Sequence, residues 1–117
     1  MLKTKFLISY DFVFEIEDYS LYTILMNFDM IHVEKPTEEK LEKLGVDSWP
    51  IWKKEVSVFP WEYDEKETCY ILEGEVEVTP ADGKSVKFGK GDLVIFSEGL
   101  KCTWDIKKPV RKHYNFR

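Results

Sequence analysis

The sequence predicts an all-β domain, a small barrel or sandwich of short strands with one short helix on its N-terminal side. Three observations carry this. From Lys54 onward, short runs of apolar and β-branched residues follow one another at regular intervals. Turn-forming clusters separate those runs at Glu73-Gly74, Pro80-Ala81-Asp82-Gly83, Gly89-Lys90-Gly91-Asp92 and Ser97-Glu98-Gly99, each with a glycine where positive φ is expected. One segment only, Pro36 to Gly45, carries a matched pair of helix caps. Many strands in a chain of 117 residues imply a single core closed by sheet on sheet.

Composition bounds the function. The formal charge of -5 argues against a nucleic-acid binder, which needs a net basic face. The basic residues Lys107, Lys108, Arg111, Lys112 and Arg117 read as solvated strand-face charges that balance the acidic run Glu62 to Glu67 and the row Glu73, Glu75 and Glu77. No stretch is long and apolar enough to cross a bilayer as a helix. The opening run from Met1 to Ile8 has a basic start, but no small-residue cleavage site follows it. Cytoplasmic location with both cysteines, Cys69 and Cys102, reduced is the expectation.

Residues 1–29 differ from the rest. Phe6, Ile8, Tyr10, Phe12, Phe14 and Ile16 alternate along an edge strand or hairpin arm, and a second apolar run spans Tyr19 to Phe28. With two lysines against five acids, this segment carries most of the net negative charge. It reads either as an appended strand or as a non-native leader from an upstream start, with the compact domain spanning 30–117. Ile31 to Val33 is a short strand. In the helix that follows, Thr37 is the N-cap, Glu38 and Glu39 sit at the positive end of the dipole, and Gly45 is the C-cap. Leu41 and Leu44 give it one apolar edge with which to pack on the scaffold as a lid. Trp49-Pro50-Ile51-Trp52 reads as a turn whose aromatics plug one end of the barrel. The expected strands are then Lys54 to Phe59, Trp61 to Tyr63, Glu67 to Leu72, Glu75 to Thr79, Ser85 to Phe88, Leu93 to Phe96, Cys102 to Ile106 and Val110 to Tyr114.

The stretch from Pro60 to Gly74 carries the chemistry. In an extended chain Trp61, Tyr63, Glu65, Glu67, Cys69 and Ile71 share one face. A carboxylate, a thiol and large aromatics on one apolar face make either an unusual core or a pocket wall. By the same alternation Cys102, Trp104 and Ile106 share a face, which adds Trp104 to the lining. Desolvation raises a carboxyl in an apolar cavity toward neutrality, which suits proton transfer, so Glu67 is the first candidate for a chemical role. Cys102 or Tyr63 follows as nucleophile or second proton carrier, and Trp61, Cys69 and Trp104 as ligand contacts. The structural alternative is a buried carboxylate satisfied by the Tyr63 hydroxyl and backbone donors, beside two inert cysteines. His32 and His113 read as surface or packing residues. The last strand leaves its facing open, and a lysine sits better outside, which would turn Lys112 and Tyr114 out and His113 in.

Spacing ties these residues to a family. Trp61-x-Tyr63-x3-Glu67-x6-Gly74 and Gly91-x5-Ser97-x-Gly99-x2-Cys102 keep the register of the two cupin motifs, and the run Glu75 to Lys90 has the length of the hairpin between them. Residues 30–117 therefore resemble a one-domain cupin, a double-stranded β-helix or jelly-roll barrel. The Trp-Pro-Ile-Trp and Pro-Val-Arg-Lys-His-Tyr elements are similar to the ureidoglycine aminohydrolase-type cupins and to one-domain cupins of thermophilic bacteria. The resemblance implies four metal ligands, three histidines and a glutamate. Here those positions hold Trp61, Tyr63, Glu67 and Cys102, so no tight Mn²⁺ or Fe²⁺ site is expected; the alternative is a weak site for a softer ion such as Zn²⁺ on Glu67 and Cys102, with Cys69 as a further donor, which needs ligands the sequence does not identify.

Two functional readings follow, each with a small molecule as partner. One is a metal-independent enzyme on a polar metabolite that uses Glu67 with Cys102 or Tyr63. The other is a non-catalytic binding module that takes an apolar or aromatic group on Trp61, Tyr63 and Trp104. A structural homodimer using the N-terminal strand is a third.

Overall fold

The computed structural model describes the backbone of residues 4–9 and 12–16, and residues 30–116 in full. Near the N-terminus β1 (Thr4–Ser9) pairs antiparallel with β2 (Phe12–Ile16) as a two-stranded ribbon, so the expected hairpin arm is present. The apolar run expected from Tyr19 to Phe28 and the basic Arg117 lie outside the described residues.

The main body is a seven-stranded antiparallel sheet organised on two long strands, β6 (Glu67–Pro80) and β9 (Lys101–Asn115). Each long strand serves two neighbours in succession. The first part of β6 takes β8 (Leu93–Phe96) and its second part takes β7 (Val86–Gly89). On β9, the first part takes β5 (Ser57–Glu62) and the second takes β4 (Ile51–Lys54). β3 (Ile31–Glu34) extends the sheet beyond β8. A ribbon flanked this way curls on itself, and its concave side holds the core of Ile71, Val78, Phe96, Trp104 and Ile106. The protein is all-β, as its sequence predicts.

The long strands correct two expectations. Glu73-Gly74 is not a turn; it is an irregularity inside β6, where the register against β9 shifts at Ile71/Glu73 and again up to Val76. The shift changes which residues face inward, from Cys69 and Ile71 before it to Val76 and Val78 after it, so both ends of β6 feed one core. Gly74 has φ 116°, and a Cβ on it would lie 2.7 Å from the Pro109 carbonyl oxygen. Only glycine combines that backbone angle with so close an approach. Gly74→Ala is therefore expected to cost at least about 2 kcal/mol, read as a fall in Tm. Opposite it, β9 runs unbroken through Pro109, whose missing N–H costs no ladder bond at a bulge.

The helix α1 (Glu38–Leu44) matches its signals. The Thr37 hydroxyl oxygen accepts from the Lys40 N–H at 3.1 Å, and Gly45 closes the helix in the left-handed region at φ 69°. Its role differs from the expected lid, because none of its residues is buried; Val46, in the 3-10 turn that follows, is the residue that docks. Ile51 and Trp52 form β4 and not a turn, with Trp52 on the concave side. Two of the acidic row meet the expected basic partners at the surface, Lys108–Glu75 at 3.0 Å and Arg111–Glu73 at 3.3 Å, while Glu77 pairs instead with Lys87 of β7 at 3.7 Å. Lys112 is not at the surface.

Candidate functional site

One cavity of about 480 Å³ opens on the concave side of the sheet. Its wall is aromatic, made of Trp52 from β4, Phe59 and Trp61 from β5, Trp104 and Tyr114 from β9, and Phe116. Tyr63, Glu67, Lys112 and Lys54 supply its polar groups. Alternation builds this wall. β5 turns Phe59 and Trp61 inward and leaves Val58 exposed, and β9 turns in Trp104, Lys112 and Tyr114.

The floor is an ion pair. Lys112 Nζ donates to Glu67 Oε2 at 2.6 Å, and each residue is only 5% exposed. The same ammonium stands 4.9 Å from the Trp52 ring centroid and 4.8 Å from that of Trp104. Two indole faces and one carboxylate thus replace the water an ammonium would otherwise hold. Glu67 is consequently not a lone carboxyl in an apolar cavity, and Lys112 does not face solvent as the sequence suggested. The parity that buries Cys102, Trp104, Ile106 and Val110 carries on to Lys112, and turns His113 out to meet the Trp49 carbonyl oxygen at 2.8 Å.

Tyr63 is buried and stacked on Phe96 with centroids 4.7 Å apart. Its hydroxyl oxygen accepts from the Trp104 indole N–H at 3.2 Å, which leaves the phenolic proton available to a ligand acceptor. Burial pushes this phenol well above its ordinary range, with the negative charge of Glu67 adding to the effect, so it serves as a donor. Trp61 is half exposed at the mouth, edge-on to Tyr63 at 6.4 Å. Glu65 is exposed in the connection between β5 and β6, away from the face that a single unbroken strand would have given it.

The cysteines are free, buried and outside the cavity lining. Burial pushes the Cys69 thiol up to about 12; the Lys112 charge opposes this, and Glu67 adds to it through charge and a hydrogen bond. Desolvation alone takes Cys102 to about 11. Both remain thiols at neutral pH, whereas the thiolate is the nucleophile and the metal ligand. The structure thus brings Trp61, Tyr63, Glu67 and Trp104 together round one space, adds Lys112, and leaves out Cys69 and Cys102.

The donor set does not fit a metal. Of the four positions aligned with the expected ligands, Trp61 has no ligating atom and the Tyr63 oxygen takes the indole N–H of Trp104. Cys102 is not in the lining, and Glu67 is held by an ammonium. Among the described residues no group of three or more His, Cys, Asp or Glu gathers where an ion could be held. Nor is any described helix long and apolar enough to cross a membrane.

Comparison with known proteins bears on the fold and the family. Among solved structures, a DUF861 family protein from Thermotoga maritima is 61% identical, with a TM-score of 0.73 over 74% of this chain and 99% of that one. The EutQ protein of Clostridium difficile, at 19% identity and a TM-score of 0.51, covers 72% of this chain and 64% of its own. Acireductone dioxygenase from Bacillus anthracis, a structure with a cadmium ion in its active centre, is 12% identical with a TM-score of 0.54 over 89% of this chain and 88% of that one. These last two share the fold alone. Comparison with curated protein sequences gives no match. Residues 41–114 match the EutQ-like cupin domain, and the chain belongs to that cupin family.

Proposed function

We propose that this cupin binds a small polar organic molecule without a metal, packing its body against the aromatic wall and meeting its polar end with Glu67, Lys112 and the Tyr63 hydroxyl. The observation that carries the reading is a buried ion pair opening on a cavity of about 480 Å³, a volume within the usual range for small-molecule sites. Glu67 and Lys112 share a hydrogen-bonded proton and can pass it to or from a bound group, which makes proton-transfer chemistry the natural activity. Cytoplasmic action with reduced thiols accords with the two free, buried cysteines. Metal-dependent chemistry of the ureidoglycine aminohydrolase type is the less favoured reading, because the ligand positions do not form a donor set.

A thermal-shift screen of polar metabolites, ureido compounds included, tests the proposal. The expected result is a hit whose stabilisation is lost in Glu67→Gln. Trp61→Ala should also weaken the hit at least about tenfold, as truncation of an aromatic anchor does. A ligand that needs Trp61 and is indifferent to Glu67→Gln would overturn the polar-floor reading in favour of a non-catalytic binding module.

A further inference from the structure

Lys112 alone among the described lysines is buried, and it lines the cavity. Replacing a buried ion pair by an apolar pair is often neutral or stabilising, so stability does not account for an ammonium at this place. What distinguishes it chemically is an amine facing open space, with a proton acceptor 2.6 Å away and flat aromatic faces on two sides. We propose that Lys112 is an amine nucleophile that forms an imine with a small aldehyde or ketone. This inference rests on the cavity being a small-molecule site.

The step balances without an added reagent. Glu67 Oε2 takes one proton from the Lys112 ammonium, and the nitrogen lone pair forms a bond to the carbonyl carbon. The carbonyl oxygen, held by the Tyr63 O–H, gains the second amine proton as the carbinolamine forms. Glu67 then returns its proton to that hydroxyl, the C–O bond breaks, and water leaves. The products are an iminium on Lys112, a carboxylate on Glu67 and one water, with no change of oxidation state. The iminium keeps the positive charge of the ammonium, so the faces of Trp52 and Trp104 and the Glu67 carboxylate suit it equally well.

Borohydride trapping tests this directly on the full chain. Protein incubated with propanal or pyruvate is reduced with sodium borohydride, digested and mapped by mass spectrometry. The expected result is a reduced adduct at Lys112 before exposed lysines are measurably labelled. Glu67→Gln should slow labelling at Lys112 by about 100-fold, the low end of what a positioned proton carrier supplies. Lys112→Arg, checked for folding by its Tm, should lose the adduct and keep the surface background. Labelling of exposed lysines with none at Lys112 overturns the proposal, and Glu67→Gln reacting as fast as the parent overturns the role of Glu67. If the metabolite screen yields a Glu67-dependent ligand while trapping fails, the imine falls and the binding site stands.

Discussion

Lys112→Met should destabilise the protein by about 3 to 5 kcal/mol, the usual cost of leaving one member of a buried ion pair without its partner. The carboxylate of Glu67 would stay at the cavity floor, 5% exposed, with its 2.6 Å donor gone. In a domain of this size that corresponds to a fall in Tm of about 10 to 20 °C. The double variant Glu67→Met/Lys112→Met is the informative comparison, since it removes both charges and fills the space with apolar atoms. It is expected to recover most or all of the loss, because an apolar pair of similar volume avoids the desolvation cost. Chemical denaturation of the two variants beside the parent checks this. A single variant within about 1 kcal/mol of the parent would mean that water reaches Glu67 freely, contrary to the buried geometry.

Trp104→Ala should cost a similar amount, about 3 to 5 kcal/mol, for a different reason. Trp104 packs against Phe59 at 6.0 Å and against Phe88 and Phe96 at 5.6 Å each, so its removal opens a cavity at the meeting point of both halves of the roll. The Tyr63 hydroxyl would also lose its donor, and the Lys112 ammonium one of its two indole faces. Trp104→Phe narrows the comparison, since it keeps one aromatic ring in the core while removing the N–H and the rest of the indole. The expected order of denaturation midpoints, at unchanged m, is parent, Trp104→Phe, Trp104→Ala. Trp61→Ala serves as the control: that indole is 50% exposed, and its loss should leave stability within about 1 kcal/mol. A Trp104→Ala loss no larger than that of Trp61→Ala would contradict the packing described.

How far the candidate site was legible can be judged from β9. Reading it as two strands, Cys102 to Ile106 and Val110 to Tyr114, broke the alternation at Lys107-Lys108-Pro109 and left the facing of Lys112 to its hydrophilicity. The structure carries one strand through that stretch; its irregularity leaves Lys108 exposed, and the parity of Trp104 and Ile106 resumes at Val110 and Lys112, both buried. The signal that could have found it was present in Val110, an apolar residue at the same parity on the far side of the proline. The shared face expected from Trp61 to Ile71 erred the other way: the chain breaks between Glu62 and Glu67, as the two expected strands there imply, so alternation does not carry through Glu65.

Local chemistry was enough for the elements whose causes are local. The helix caps at Thr37 and Gly45, the surface pairing of Glu73 and Glu75, and the all-β class depend on neighbours along the chain or on simple alternation, and all were readable from the residues in order. Glu67 as a polar group on an apolar face was readable in the same way. The partner of Glu67 was not, since Lys112 lies 45 residues away and reaches it only because β6 and β9 pair along their length and shift register at Gly74. The exclusion of Cys69 and Cys102 from the cavity was decided at the same level, because alternation says which side of a strand a residue faces and says nothing about where the sheet curls. Burial and long-range pairing are properties of the closed roll, and they turned a presumed lone carboxylate into a carboxylate–ammonium pair.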